Sequence, residues 1–211
     1  MKNLFAAAGL LLTLLMVFGC ESEPKSLPHL GNIEIIKGDT IYHKVPDIAL
    51  TDQDSQVFRI SSFGNKIILA DFFFTSCPSI CPRVQKEMLR VYDRYKDDDR
   101  VMMISHTIDQ RNDSVSVLKR YAFNLGVDTK KWKFVTAEKD SIFDLADQYF
   151  VSVTEDPTVP SGFDHSGRII LVDKNRYVRG YCEGTDTKSV TAFFETVDAM
   201  LKEQFPEAKK P

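Results

Sequence analysis

The sequence predicts a single α/β domain whose central β-sheet contains parallel strands. Residues 66–74 are nearly continuous in apolar side chains, which is typical of a strand buried on both faces of a sheet. A helical pattern of apolar residues follows from Pro82, and residues 101–108 form a second apolar run. The strand, helix and strand together form a βαβ unit, so the two strands should be parallel neighbours.

The remaining elements follow from local signals along the chain. Residues 45–60 contain two short apolar segments around a polar turn, which predicts a β-hairpin at the start of the domain. After the second buried strand, Asp113 and Ser114 stand where a helix cap is needed, and Gly126 stands where that helix should end. Residues 133–136 then predict a strand, and residues 141–150 predict another helix.

The last part of the domain begins with a loop at residues 152–166 that carries prolines and a glycine. Residues 168–172 and 177–182 then form a predicted hairpin, and residues 189–205 form a closing helix. This order of elements is that of a thioredoxin-like fold with an N-terminal β-hairpin and inserted elements, which is a fold-level analogy.

The N-terminus has the features of an export signal. A short charged start precedes an apolar run at residues 4–18, which is short for a spanning helix. Gly19 and Cys20 then resemble a bacterial lipobox, with Cys20 as the acylated residue. We therefore expect a signal peptide at 1–19, a lipid-anchored tether at 20–43 with at most a short strand at 32–36, and the thioredoxin-like domain at 44–211. The alternative is an uncleaved anchor in which Cys20 is incidental.

These features predict an exported, membrane-anchored lipoprotein that faces the periplasm.

The charge composition argues against nucleic acid as a partner. The 211 residues carry 27 basic and 30 acidic side chains, for a formal net charge of −3, with both signs mixed along the chain. Because no basic stripe is present, nucleic-acid binding is not expected.

Two cysteines are the candidate reactive and metal-binding residues. Cys77 and Cys81 are spaced C-x-x-x-C between a buried strand and a helix N-terminus, where thiolates are stabilised. A four-residue step near a helix start can place both sulfurs on one side. Soft sulfur ligands select Cu(I), and an added imidazole would also accommodate Cu(II). Cys182 is predicted to be a small buried residue on the last strand.

Four histidines could supply the third ligand. His29 and His43 lie in the predicted tether and should be exposed. His106 lies at the end of a predicted strand, where a structural and a functional role are equally open. His165 lies at the end of the loop that thioredoxin-like proteins bring against their redox cysteines, so it is the preferred ligand.

The chain resembles the Sco (SenC) family of copper-binding, thioredoxin-like proteins that serve cytochrome c oxidase assembly. The motifs that carry the resemblance span most of the predicted domain: T-D-Q at 51–53, C-P-x-x-C-P at 77–82, T-I-D at 107–109 with Asp113, and D-H-S at 164–166. The resemblance implies that Cys77, Cys81 and His165 bind copper and that the cysteines cycle between dithiol and disulfide. It also implies delivery to the Cu-A site of cytochrome c oxidase subunit II, with Asp109 near the metal; a strand-end turn role for Asp109 is equally open.

A cysteine pair also occurs in three other kinds of protein. A thiol–disulfide oxidoreductase would reduce acceptor cysteines through a mixed disulfide, and His165 would only tune a thiolate. Peroxiredoxin activity is not expected, because Ala70 and Phe74 stand where the peroxiredoxin motif requires proline and threonine. A structural disulfide in a binding module is disfavoured because so small a loop removes little chain entropy.

Overall fold

The computed structural model describes residues 26–159 and 162–206, which form eleven strands and four α-helices. The strands are β1 (Ile33–Ile36), β2 (Asp39–Tyr42), β3 (Leu50–Asp52), β4 (Val57–Phe58), β5 (Ile67–Phe73), β6 (Val101–Thr107), β7 (Trp132–Thr136), β8 (Val153–Glu155), β9 (Phe163–His165), β10 (Arg168–Val172) and β11 (Val178–Glu183). The helices are α1 (Cys81–Tyr95), α2 (Val115–Leu125), α3 (Lys139–Gln148) and α4 (Thr187–Gln204). A short 3₁₀ turn occupies Ile60–Phe63.

A seven-stranded mixed sheet forms the centre of the domain, in the order β11-β10-β5-β6-β7-β3-β4. As predicted, β5 and β6 are parallel neighbours, and β7 continues the parallel set. Every residue of β5 and β6 is buried, as their apolar runs indicate. The predicted hairpins β3–β4 and β10–β11 are both present.

Helices and loops cover both faces of this sheet. On one face, Tyr92 of α1 contacts the Trp132 ring and Tyr121 of α2 contacts Phe134, with ring centroids 5.9 and 5.7 Å apart. On the other face, Tyr149 lies directly after α3 and contacts the Phe72 ring. Both faces of the central strands therefore lie in the core, which is the layered α/β architecture that the sequence predicts.

The segment before β9 differs from the predicted structureless loop. Residues 153–155 and 163–165 pair as a separate two-stranded antiparallel sheet, with Val153 opposite His165. Val153 and Thr154 have high β propensity, and the partner strand lies only eight residues later. His165 is therefore held by strand pairing and is not at the end of an irregular loop.

The N-terminal stretch is also more ordered than the expected tether with one short strand. Strands β1 and β2 form an antiparallel hairpin, with Ile33 opposite Tyr42. Before it, the buried guanidinium of Arg179 donates hydrogen bonds to the Pro28 and Leu27 carbonyls. A buried cation requires such partners, so the chain from about residue 27 is fixed to the domain.

The predicted signal peptide and the lipidation residue Cys20 lie outside the described residues, and so do the early residues of the tether. Their roles therefore stay predictions. Within residues 26–159 and 162–206, no helix has both the length and the apolar character needed to cross a bilayer.

Candidate metal centre

The cysteine pair lies where the central strand β5 passes into helix α1. The Cys77 amide donates to the Phe74 carbonyl at 3.3 Å, which turns the chain immediately after the strand. Helix α1 begins at Cys81, one residue earlier than the predicted start, with Pro82 as its second residue. Both thiols are buried, and both are free.

His165, the last residue of β9, lies against the cysteine pair. Its Nε2 lies 3.4 Å from the Cys81 Sγ, although 84 residues separate them in sequence. One ligand atom from each of Cys77, Cys81 and His165 falls within 4.8 Å of the other two. The Phe74 ring contacts the imidazole edge-on, at 5.8 Å between centroids, and limits its orientation. The structure therefore brings together the three residues that the sequence selected.

The Asp113 carboxylate fixes the loop that carries Cys77. It accepts hydrogen bonds from the Thr75 amide at 3.0 Å and from the Thr75 hydroxyl, and a further one from the Thr107 hydroxyl at the end of β6. Asp113 is almost fully buried. Asp113 and Ser114 stand where the sequence predicts a helix cap, and the N-cap position belongs to Ser114. In the sequence, the only indication that Asp113 holds the Cys77 loop was its place among the family motifs.

The two thiols have different electrostatic environments. Burial alone would raise the Cys77 pKa, but hydrogen bonds from the Cys81 thiol and from the Ser79 and Cys81 backbone outweigh it, so the pKa lies below its usual value. Burial raises the Cys81 pKa, and the neighbouring Cys77 raises it further. The first proton leaves the pair from Cys77, and the thiol of Cys81 stabilises the resulting thiolate.

The imidazole of His165 is oriented for ligation. Its Nδ1 lies 3.3 Å from the Ser166 carbonyl, so a proton on Nδ1 is satisfied there. Burial lowers the pKa of His165 and favours the neutral ring. The neutral tautomer with its proton on Nδ1 leaves the Nε2 lone pair directed toward Cys81. A backbone carbonyl commonly fixes a ligating histidine in this way.

This donor set fits a soft metal ion. Two cysteine sulfurs and one imidazole nitrogen, with no carboxylate among the three converging residues, match the ligand preference of copper. A cavity of about 310 Å³ opens beside the pair and is lined by apolar residues including Phe74, Leu89 and Tyr121. The site is therefore buried but adjacent to a surface opening.

The other histidines lie elsewhere. His106 is fully buried in the middle of the sheet and stacks on Phe72 at 4.8 Å between ring centroids. His29 and His43 were expected to be exposed, but both are half-buried. His29 stacks on Tyr42, and the His43 Nε2 lies 3.0 Å from the Gln148 carbonyl. The packing of the N-terminal stretch against the domain accounts for that difference.

Asp109 and Cys182 are not among the converging residues. The Asp109 carboxylate accepts hydrogen bonds from the Asn112 side chain at 2.7 Å and from the Asn112 amide, so it closes the turn after β6. A role for Asp109 near the metal stays a prediction. Cys182 is buried on β11, as predicted, and burial raises its pKa to about 12.

Most of the chain matches one protein family. A family model described as SCO1/SenC matches residues 40–201. A SCO1 protein homolog of Bacillus subtilis is 28% identical over 136 residues, which cover 64% of this chain and 70% of the relative. A SCO2-like protein of Rickettsia typhi is 27% identical over 178 residues, which cover 82% and 85% of the two chains.

Solved structures share the fold. The Bacillus Sco protein whose structure identified a disulfide switch superposes with a TM-score of 0.67 at 23% identity, covering 78% of this chain and 95% of its own. Arabidopsis thaliana ScoI with copper bound superposes with a TM-score of 0.63 at 18% identity, covering 75% and 98%. These superpositions confirm the thioredoxin-like fold class that the order of elements predicted.

Proposed function

Because the chain belongs to the SCO1/SenC family, we propose that it is a membrane-tethered copper metallochaperone that delivers copper to the Cu-A site of cytochrome c oxidase subunit II. The observation that carries the proposal is the convergence of Cys77, Cys81 and His165 within 4.8 Å. Copper is the cargo of this protein, and the two sulfurs and the His165 Nε2 are the atoms that would hold it.

Two features of the site support capture followed by release. The ligands come from separate elements, since the cysteines belong to the β5–α1 connection and the histidine to β9. A three-ligand site beside an opening also leaves room for an incoming sulfur. Transfer then proceeds by exchange of thiolate ligands, in which an acceptor sulfur binds copper before the donor sulfurs release it.

Two similar proteins of known structure support delivery of copper to cytochrome c oxidase. The Bacillus structure belongs to a protein described as a member of the Sco family of cytochrome c oxidase assembly proteins. The Arabidopsis structure contains copper. We extend both properties to this chain because its family match covers residues 40–201, which include all three converging residues.

Copper binding is tested by titrating the reduced full-length protein with Cu(I) against a competing chelator. We expect about one tightly bound equivalent, lost when Cys77, Cys81 or His165 is replaced by alanine. Cys182→Ala is the matched control, because it removes a buried thiol away from the site and should leave the stoichiometry unchanged. Retention of tight binding in all three site variants would refute the copper assignment.

Delivery requires a second measurement. The copper-loaded protein is mixed with the reduced, copper-free soluble domain of oxidase subunit II, the two proteins are separated, and the copper bound to each is measured. We expect transfer from the native protein and from Cys182→Ala. A protein that binds copper tightly but transfers none to this domain would be a copper-binding protein with another acceptor.

The anchor is tested separately in cells. We propose that Cys20 is acylated and that the domain faces the periplasm. Metabolic labelling with a fatty acid should mark the native protein and leave Cys20→Ala unmarked. Labelling that persists in Cys20→Ala would contradict the lipidation site.

A thiol–disulfide oxidoreductase is the second function that a specific observation favours. The Cys77 pKa is lowered while the Cys81 pKa is raised, an asymmetry that suits an attacking and a resolving thiol. The Cys77 thiolate would attack an acceptor disulfide and release one acceptor thiolate, and Cys81 would then release the second. The acceptor is reduced to two thiols as Cys77 and Cys81 become a disulfide. A reductase should keep most of its exchange rate in His165→Ala, whereas a chaperone loses its copper.

A further inference from the structure

The β1–β2 hairpin concentrates the exposed apolar surface of the molecule. Among the described residues, five of the eight large hydrophobic side chains that are exposed belong to it: Ile33, Ile35, Ile36, Ile41 and Tyr42. Ile35 is the most open of these five, with 76% of its surface exposed. The hairpin is a two-stranded sheet separate from the central sheet. Apolar exposure concentrated in this way marks an interaction surface.

The two faces of the hairpin differ in charge. Cross-strand pairing places Ile33 opposite Tyr42 and Ile35 opposite Thr40, so these four residues share one face, which we call the uncharged face. The other face carries two isoleucines and two acids, and its members are Glu34, Ile36, Asp39 and Ile41. The uncharged face is therefore the one suited to contact with an apolar medium.

The hairpin also lies close to the point where the described chain begins. The Tyr42 ring stacks on His29 at 4.3 Å between centroids. Three residues before His29, the Ser26 hydroxyl lies 3.3 Å from a guanidinium nitrogen of the buried Arg179. Residue 20 precedes Ser26 by six residues, so it lies at most about 22 Å from Ser26 even in a fully extended chain.

We propose that the uncharged face of the β1–β2 hairpin rests on the lipid bilayer beside the anchor; this inference rests on the membrane tether of the proposed function. Lys37 in the hairpin turn is exposed and supplies a cation that anionic headgroups would attract, whereas the Lys44 ammonium lies over the Tyr177 ring. The exposed apolar area of this face comes from Ile33 and Ile35, which are 56% and 76% exposed, whereas the Tyr42 ring packs on His29. The anchor makes this second contact intramolecular, so a small apolar face suffices.

This contact would point the metal centre away from the lipid. Tyr42 lies 6.4 Å, between ring centroids, from Tyr177, which follows the β10–β11 turn. The pairing of Val172 with Ile68 places that turn at the start of β5. The cysteine pair follows the opposite end of this seven-residue strand, which spans about 20 Å or more. The Tyr42 end of the hairpin therefore lies nearer the start of β5 than the end that leads to the copper-binding residues.

The test uses full-length protein reconstituted into vesicles of equal amounts of phosphatidylethanolamine and phosphatidylglycerol, doped with phosphatidylcholine brominated on its acyl chains. Ile35→Trp introduces a fluorophore on the uncharged face. Val57→Trp is the matched control, because Val57 is an exposed β-branched strand residue, 70% exposed, on the opposite edge strand of the main sheet. The buried Trp132 provides a common background in both variants.

We expect bromolipid to quench the added fluorescence of Ile35→Trp at least about twofold more than that of Val57→Trp, because interfacial side chains enter the headgroup and acyl boundary. Co-flotation with vesicles but equal quenching in the two variants would overturn the hairpin contact and leave the tether intact. Failure to co-float would overturn both. A blue shift of Ile35→Trp that appears without lipid and grows with protein concentration would identify a second copy as the occupant instead.

Discussion

Two regions of the molecule each bury a histidine, and only one of them forms a site. At the metal centre, the His165 Nε2 lies 3.4 Å from the Cys81 sulfur. In the middle of the sheet, the His106 Nδ1 lies 3.4 Å from the Asp71 carbonyl, and its Nε2 has no hydrogen-bond partner among the described residues. We call Asp71, Ser105 and His106 the polar core of the sheet.

The difference shows that burial does not select a ligand. Both histidines are buried, and burial lowers the pKa of both. At the metal centre, however, lone pairs from three residues on separate elements point at one another. In the polar core, the Ser105 hydroxyl donates to one Asp71 oxygen, while the other oxygen of Asp71 has no partner among the described residues. The metal centre is arranged to bind a metal ion, whereas the polar core makes the free energy of unfolding depend on pH.

The largest expected effect separates the two histidines by copper affinity. His165→Phe should weaken Cu(I) binding on the order of a thousandfold, since it removes one of three ligands from a site whose total binding energy they share. His106→Phe is the matched variant and should bind copper as the native protein does. Chelator competition on the reduced proteins measures both. Equal losses in the two variants would show that burial, and not convergence, determines copper binding.

The next effect tests the polar core through Asp71. Burial raises the Asp71 pKa to about 7, from an ordinary value of 3.8. The unfolded chain therefore ionises this carboxyl at a lower pH than the folded chain does. The stability from neutral Asp71 is fully present below about pH 4 and is lost as the pH rises through 7. Asp71→Asn removes this loss and should raise the free energy of unfolding at pH 8 by up to about 4 kcal/mol.

Urea unfolding of Asp71→Asn and the native protein at pH 4.5 and pH 8 measures this effect. The difference between the two proteins should shrink to about 1 kcal/mol at the lower pH, because pH 4.5 lies only slightly above the ordinary pKa of 3.8 and asparagine resembles the protonated acid. Copper stoichiometry should not change, since Asp71 is not among the converging residues. A variant that is less stable at pH 8 would show that the ionised carboxylate has a stabilising partner in the folded protein.

A smaller effect of opposite sign is expected from His106. Burial lowers its pKa to about 4, from 6.5, so the unfolded chain binds the proton first. Stability should be lost as the pH falls from about 6.5 toward 4, by roughly 3 kcal/mol in total. His106→Phe should remove this acid sensitivity while keeping the ring contact with Phe72. Unfolding curves of the two proteins at pH 7 and pH 4.5 that differ by a constant amount would contradict this explanation.

The sequence predicted the metal centre better than the polar core because the two depend on different information. Spacing and residue type identified Cys77, Cys81 and His165, and the apolar runs identified β5 and β6. The tertiary partners of a side chain leave no such local signal. The hydrogen bonds from Thr75 to Asp113 and from Ser105 to Asp71 each join segments more than thirty residues apart in sequence.

The smallest expected effect comes from the third thiol. Cys182 is as buried as Cys81, but it lies outside the group of converging ligand atoms. Cys182→Ala should therefore leave copper binding unchanged and lower the free energy of unfolding by about 1 kcal/mol, the cost of removing one buried sulfur.

The same comparison predicts an order of chemical reactivity among the three described thiols. With a pKa of about 12, Cys182 is almost entirely protonated at pH 8, whereas the lowered pKa of Cys77 favours its thiolate. Limited alkylation of the reduced, copper-free protein, followed by peptide mass spectrometry, should modify Cys77 well before Cys182. Because only the thiolate attacks the reagent, early modification of Cys182 would mean that β11 opens, and the contrast between a convergent and an isolated buried cysteine would fail.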